Sequence, residues 1–330
     1  MAKGQSHLAE AVMALKAIIL AAGKGTRMKS DVLKVAHSVA GKPIVSYVVD
    51  TVSAMDVTDI FLVVGHQADL LKKSVQDEKI TYVLQEAQLG TGHAAQQVAP
   101  HLNAKSPDTI LVLAGDCPLI EASTLRNLIA IHTESNAAVT ILTTVMTDPG
   151  TYGRILRGKM GTVLGIREAK DCTAEELQVN EVNTGVYVFQ VPDLFESLED
   201  VTTNNAQKEY YLTDVIQILK NKRRPVSAYC TPRSDHAIGV NTRMDLAAIN
   251  KILYQNNNLH FMQEGVTIVD PDTTFIDSTV MIGHDTIIHP FSVIQGQTKI
   301  GTGCVVGPHV YIRDGRIEHL SVIPPFTKMG

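Results

Sequence analysis

The chain has 330 residues, 45% of them hydrophobic and 19% charged, with no Trp, 5% aromatics and a formal net charge of −5. That balance excludes a disordered chain and supplies apolar material for about two domains. It also leaves neither the aromatic platform nor the basic surface that binding to nucleic acid or anionic membrane needs, so positive charge for an anionic ligand has to be gathered locally.

Residues 1–15 read as a tail or short helix leading into the first strand. The stretch from Ala11 to Ala22 is mostly apolar, but Lys16 interrupts it and Glu10 precedes it. It falls short of the ~18 residues of a membrane span and lacks the basic start and clean apolar centre of a signal peptide. Residues 17–20, 60–64, 110–113 and 139–142 are short continuous apolar runs, the pattern of fully buried parallel strands. Amphipathic stretches lie between them: from Pro43 towards Met55, then about 67–76, 92–98 and 123–132, the last with Ser123 as its N-cap. The alternation predicts an α/β fold, a parallel sheet with helices on both faces. Ligands of such sheets bind beyond the carboxyl ends of the strands, so the residues just after each strand are the candidates for chemistry.

Residues 237–241 form another strand-like run, ending in Asn241. Helical spacing over 245–253 predicts a connecting helix, with Asn256, Asn257 and Asn258 as its polar stop. Beyond it Ile276, Ile282, Ile288, Ile294, Ile300, Val306 and Ile312 recur every six residues, each preceded two positions earlier by a small or branched residue. This is the hexapeptide pattern of a parallel β-helix. The register fails after Ile312 and residues 321–326 read as a terminal turn, which predicts two to three coils. Such a stub would pack on the first domain or on other chains.

Leu20-Ala-Ala-Gly-Lys-Gly-Thr-Arg-Met28 follows the first apolar run. Its glycines permit a tight turn, its N–H groups can cradle phosphate oxygens, and Lys24 and Arg27 add charge. It is neither a P-loop nor a dinucleotide fingerprint, because G-x-x-x-x-G-K-[ST] is absent and Met28 stands where a third Gly would. The same pattern also occurs as an ordinary turn, and Lys34 fits either the same anion site or a solvated surface. Asp116, just past the third run, suits a metal ion beside phosphates or a helix cap. Asn241 suits a second hard ligand for Mg²⁺ or a turn. Gln85 and the loop 89–92 offer an amide edge and backbone groups for reading a base. Gly153, Glu168 and Asn183 look like ordinary loop or polar residues on their own. The four cysteines, Cys117, Cys172, Cys230 and Cys304, are scattered, which predicts buried free thiols in a reducing cytoplasm. There is no H-E-x-x-H and no G-x-S-x-G elbow.

The segment 20–28 resembles the signature loop of the sugar-1-phosphate nucleotidylyltransferases. Gln88-Leu-Gly-Thr-Gly-His-Ala94, Gly115-Asp-Cys-Pro-Leu119, Tyr152-Gly-Arg-Ile155, Glu181-Val-Asn-Thr-Gly185 and residues 204–214 narrow the likeness, in order and over about 16–314. They resemble the uridylyltransferase half of the bifunctional bacterial N-acetylglucosamine-1-phosphate uridylyltransferase/glucosamine-1-phosphate acetyltransferases. The resemblance implies a Rossmann-like nucleotidyltransferase domain with a mostly parallel sheet over 16–243, a linker helix over 244–263 and a truncated left-handed parallel β-helix over 264–330. It implies uridylyl transfer from UTP to N-acetylglucosamine-1-phosphate by Mg²⁺-assisted in-line displacement, in the cytoplasm, without nucleic acid or membrane insertion, and a homotrimer through the β-helix.

Residue by residue, the likeness assigns Leu20, Ala21, Ala22, Gly23, Gln85, Gly90 and Thr91 to the uridine part, and Arg27 and Lys34 to the phosphates as catalytic groups. Asp116 and Asn241 would hold Mg²⁺, with Gly115 beside Asp116 in the substrate site, and Gly153, Glu168 and Asn183 would meet the sugar and ribose. The sequence departs from the family at Leu33, where Pro is usual before the Lys, and at Ala114, where an aromatic is usual. The later coils that carry the acetyltransferase's His and acetyl-CoA contacts are missing, so acetyl transfer is not expected. Ala114 leaves another sugar-1-phosphate open as substrate, and a non-catalytic regulatory or assembly subunit is the reading from a different class.

Overall fold

Each of the four apolar runs forms a strand, and each strand outgrows its run because its polar ends also find ladder partners in a wide sheet. The computed structural model describes residues 13–65, 68–75 and 77–330, so most of the expected tail and the ends of the stretch at 67–76 lie outside the described residues. In chain order come β1 (Leu15–Ala21), a small hairpin of β2 (Ser38–Val39) and β3 (Lys42–Pro43), α1 (Ile44–Ser53), β4 (Val57–Val64), α2 (Ala68–Ser74), β5 (Ile80–Leu84), α3 (Thr91–Gln96) and β6 (Thr109–Ala114). There follow α4 (Ala122–Glu134), β7 (Val139–Val145), β8 (Arg154–Arg157), β9 (Val163–Arg167), β10 (Glu181–Gln190), α5 (Val191–Leu198), α6 (Asp214–Asn221) and β11 (Val226–Cys230).

The sheet order is β11-β7-β10-β6-β1-β4-β5, with β8 paired to β10 and β9 to β8. β1 runs parallel to β4 and β6, whereas β10 is antiparallel to both β6 and β7. Consecutive residues of the strands serve opposite faces. Ile18, Val63 and Val112 pack with Leu194 and Val215 of α5 and α6, while Ile19, Leu62 and Leu113 pack with Val48, Leu71 and Leu125 of α1, α2 and α4. Burial on both faces is why the runs are apolar without alternation.

Three expectations for the segments before the coils fail. Ser123 does not cap α4: the helix starts at Ala122 after Glu121, and the Ser123 hydroxyl donates to the Glu121 carboxylate at 3.2 Å. Residues 237–241 are not a strand; a short turn, Ser234–Ala237, leads into irregular chain. The backbone donors there go to the Tyr152 hydroxyl (from Gly239, 3.1 Å) and the Asp116 carbonyl (from Val240, 2.9 Å) instead of a ladder. The asparagines at 256–258 do not end the connecting helix. α7 runs Arg243–Gln263 from a capping box of Thr242 and Asp245, and the asparagines tie it to the coils. Asn258 is fully buried and donates to Pro271 O (2.9 Å) and Thr274 O (2.8 Å), and Asn257 donates to Ile276 O (2.9 Å).

The six-residue pattern becomes a parallel β-helix with three faces. β12 (Thr267–Ile268), β15 (Ile287–Ile288), β18 (Val305–Val306) and β21 (Val322–Ile323) stack on one. β13 (Phe275–Ile276), β16 (Val293–Gln295), β19 (Tyr311–Arg313) and β22 (Lys328–Met329) stack on the second, and β14 (Met281–Ile282), β17 (Lys299–Ile300) and β20 (Arg316–Ile317) on the third. The repeat does not stop at Ile312. One residue is skipped, Ile317 lies opposite Ile300, and the six-residue step resumes at Ile323 and Met329. Residues 321–326 are therefore part of a fourth coil, not a terminal turn. Inside, the small residues turn their hydroxyls to backbone carbonyls: Thr286 to Gly301 (2.9 Å), Ser292 to His289 (2.8 Å) and Thr298 to Gln295 (2.7 Å).

The β2–β3 hairpin docks on α7 and the coils. Ala40 N donates to Asn250 Oδ1 (2.8 Å) and Ser278 N donates to Ala40 O (3.1 Å). Gly41 has φ 93°, and a Cβ there would lie 2.6 Å from the Asp277 Cβ, so only glycine permits the approach. The buried Asp277 accepts from the Tyr254 hydroxyl (3.0 Å) and Gly296 N (3.1 Å). The cysteines are free, but only Cys117 and Cys304 are buried; Cys172 is half-buried and Cys230 exposed, unlike the expectation for all of them.

Candidate active site

A cavity of about 520 Å³ opens at the carboxyl ends of β1 and β6. From β1 the chain passes through Ala22 and Gly23, where a Cβ would meet nothing within 4 Å, so the space over Gly23 is left for a ligand. Gly25 is different. Its φ is 59° and a Cβ would lie 2.6 Å from the Lys34 Cβ, so this glycine lets the loop close on Lys34. Met28, buried, anchors the far end of the loop.

Lys34 donates to the Asp116 carboxylate and, at 3.2 Å, to Asn241 Oδ1. Arg27 donates to the same Asn241 oxygen at 2.9 Å and to Thr151 Oγ1 at 3.4 Å. Asp116 is backed by Gly239, where a Cβ would come within 3.2 Å of its Oδ1. The neighbouring Cys117 thiol is pushed well up by burial and then by the Asp116 charge, so it stays protonated. Two hard oxygens sharing one cation fit Mg²⁺, which takes one or two protein oxygens and completes its shell with phosphates and water. Among the described residues no group of three or more His, Cys, Asp or Glu could hold a metal alone.

At another wall Gln85, buried, donates through Nε2 to Gly90 O (3.1 Å) and faces His93 Nδ1 (3.0 Å). Gly90 has φ 112°, and a Cβ there would lie 2.6 Å from Tyr210 O. Thr91 Oγ1 accepts from Leu212 N at 3.0 Å, fixing the start of α3. Opposite, Glu168 accepts from the Thr213 hydroxyl at 3.1 Å. Burial raises its carboxyl above the usual range; the Thr213 bond works the other way, and Asp171 and Asp214 add to the rise. Asn183 donates to the Tyr187 hydroxyl at 2.6 Å and accepts from Gly185 N at 3.2 Å.

Leu20, Ala21, Ala22, Gly23, Lys34, Gln85, Gly90, Thr91, Asp116, Glu168 and Asn183 all line the cavity. Arg27 and Asn241 do not line it but join it through Lys34. Gly115 and Gly153 lie behind the wall: Gly115 N donates to Leu20 O (2.9 Å) and Gly153 O accepts from Asn183 N (2.8 Å). Sequence reasoning gave no role to Gln88, Tyr187, Glu209 or Thr213, which also line the cavity. Nor did it give one to Arg154, which is buried and donates to Gly150 O (3.1 Å) and Tyr152 O, pinning the loop that meets Arg27 and Gly239. Only the Tyr-Gly-Arg string marked that loop. Ala114 lines the cavity beside Gly185, whose Cβ position is 3.6 Å from the Ala114 Cβ.

Residues 17–205 match the MobA-like NTP transferase domain, and residues 279–314 match the bacterial transferase hexapeptide (six repeats). The chain is 47% identical over 307 residues to a bifunctional protein GlmU of Halalkalibacterium halodurans, covering 93% of this chain and 67% of the relative. It is 48% identical over 307 residues to the one of Enterococcus faecalis, with coverage of 93% and 67%. Among solved structures, a UDP-glucose pyrophosphorylase complexed with UDP-glucose superposes with a TM-score of 0.59 at 17% identity, over 74% of this chain and all of that one, a likeness of fold alone. With a nucleotidyltransferase domain, a hexapeptide β-helix and relatives near half identity across both, the chain belongs to the GlmU family of nucleotidyltransferases.

Proposed function

We propose that the chain transfers the uridylyl group of UTP to N-acetylglucosamine-1-phosphate, giving UDP-N-acetylglucosamine and pyrophosphate. The observation that carries this reading is the convergence of Arg27, Lys34, Asp116 and Asn241 beside a cavity whose other walls carry Gln85 and the pair Glu168 and Asn183. The sugar phosphate supplies an oxygen that is already anionic, so its attack on the α-phosphorus needs no general base. A P–O bond forms there, and the bond to the pyrophosphate oxygen breaks in line with it.

The obstacle is the meeting of two polyanions. Lys34 and Arg27 offer N–H donors to the phosphates, and the open backbone at Gly23 lets loop N–H groups approach them. Asp116 and Asn241 are the residues that would hold Mg²⁺, which supplies neutralisation of the converging phosphates when bound. Gln85 would read the base, while Glu168 and Asn183 would accept from and donate to sugar hydroxyls. The low wall at Ala114 favours another sugar-1-phosphate as the second reading.

Pyrophosphate release over a panel of sugar-1-phosphates and nucleoside triphosphates tests both. Preference for UTP with N-acetylglucosamine-1-phosphate supports the first, preference for a different sugar phosphate supports the second, and no release with any pair overturns both. Exposed Phe291, Leu320, Val322 and Phe326 on the coils support assembly of three chains there, which light scattering checks. The substrates proposed belong to the cytoplasm, and the proposal covers nucleotidyl transfer alone.

A further inference from the structure

His93 is half-buried at the back of the cavity, and its imidazole touches two amides. Nδ1 lies 3.0 Å from Gln85 Nε2 and Nε2 lies 3.2 Å from Gln97 Nε2. A neutral imidazole accepts at only one nitrogen, so one of these amides must yield. Gln85 cannot. Its Nε2 also donates to the Gly90 carbonyl at 3.1 Å, a pure acceptor, and turning the amide over would set two oxygens against each other in a buried site. Gln97 Nε2 also donates to the His93 carbonyl, at 3.2 Å, but Gln97 is only half-buried, so water can serve that carbonyl while the amide turns its oxygen to the ring. Nδ1 is therefore the acceptor and Nε2 carries the proton.

Both protons of the Gln85 amide are thus committed to protein acceptors. Its Oε1 has no hydrogen-bond partner among the described residues and is the amide atom left to serve a ligand in the cavity that Gln85 lines.

We propose that His93 is a specificity-determining positioning residue, which holds Gln85 so that it presents an acceptor, and only an acceptor, to the nucleobase. This rests on the reading of the cavity as a UTP site. Uracil carries a donor at N3 and can give it to Oε1. Cytosine carries an unprotonated acceptor at N3, which would face Oε1 with neither proton between them. A site whose buried polar group is left unpaired by the wrong ligand discriminates strongly. Thymine also has an N3 donor, so this device separates uracil from cytosine and not from thymine.

The test is the ratio of UTP to CTP affinity, measured calorimetrically on the full chain without sugar phosphate, so that it does not depend on turnover. The unaltered protein should favour UTP. His93→Phe keeps the ring but removes the acceptor, leaving Gln85 held by the Gly90 carbonyl alone, so that its freed amide proton can swing towards the ligand, and the ratio should fall about tenfold or more. His93→Asn places an oxygen near the Nδ1 position and should keep the ratio. A structural role alone would weaken both nucleotides together and leave the ratio unmoved. An unchanged ratio in His93→Phe, a lost ratio in His93→Asn, or equal UTP and CTP affinity in the unaltered protein would each overturn the proposal. Pyrophosphate release in the unaltered protein reads the proposed reaction separately, so failure of that reading is distinguishable from failure of this one.

Discussion

The Lys34 ammonium bonds at once to the carboxylate of Asp116 and to the amide oxygen of Asn241, the two oxygens proposed for Mg²⁺. Lys34 has to release both before they can serve a metal, and that release frees its charge for a phosphate. Lys34→Met should therefore act in opposite directions on two measurements. Mn²⁺ affinity without nucleotide should rise several-fold, because a competing cation is gone, and kcat for pyrophosphate release should fall about 10²–10³-fold. Asp116→Asn should lower both. Equal losses in both measurements for Lys34→Met would contradict the exchange.

Arg27 is exposed, bonds to Asn241 Oδ1 and Thr151 Oγ1 and has no carboxylate partner among the described residues, so its charge is available to the proposed phosphates. The charge it meets grows as pyrophosphate departs, and Arg27→Ala should lower kcat by about 10–100-fold with a smaller rise in KM. Steady-state kinetics with UTP varied would show the split; a pure KM effect would place Arg27 in ground-state binding only.

Glu168 is raised above the usual carboxylate range, mainly by burial. As an acceptor for sugar hydroxyls it must be ionised, so kcat/KM for the sugar phosphate should fall with decreasing pH, beginning above the pH at which an ordinary Glu titrates. Glu168→Gln should flatten that limb and lower kcat/KM about tenfold at pH 8. A pH–rate series on the two proteins checks this.

His132 is buried between the Thr140 hydroxyl (3.0 Å from Nδ1) and the Gln190 amide (3.1 Å from Nε2), and burial lowers it to about 4. Its ordinary value is 6.5, so between these values the unfolded chain binds a proton that the folded chain does not. Stability from this residue is full above about pH 6.5 and is lost as pH falls towards 4, by at most ~3 kcal/mol. Urea midpoints at pH 7 and pH 5 should differ more for the unaltered protein than for His132→Gln.

Asn258 answers two buried carbonyls, those of Pro271 and Thr274. Asn258→Leu would leave both unpaired and should cost about 2–3 kcal/mol in denaturant unfolding. Asn257→Ala loses one half-exposed bond to Ile276 O and should cost less than about 1 kcal/mol.

The strands β1, β4, β6 and β7 were legible because burial on both faces writes itself as uninterrupted aliphatics, and the coils because one buried aliphatic recurs at every face. β10 was not. Its run from Glu181 carries Asn183 and Gly185 at the cavity, so the needs of the site interrupt the pattern of the strand. The helix at Asn256–Asn258 was misread because polarity looks the same in sequence whether it meets water or a neighbour's carbonyls. Gln85 could be offered from its own chemistry, but Glu168 and Asn183 were legible only through resemblance, since nothing local shows that chain segments 80 or more residues apart share one cavity. Arg154 and His93 act by holding other residues, a relation that exists only in three dimensions.

The β2–β3 hairpin begins two residues after the turn that carries Lys34, and its tip is bonded to Asn250 and Ser278. Coils and sheet are separate in sequence, yet the lysine proposed to meet phosphate hangs from a strut footed on α7 and the coils. Strain applied to the β-helix would reach Lys34 before it reached Gln85 and Gly90, whose loop rests on Tyr210 within the nucleotidyltransferase domain.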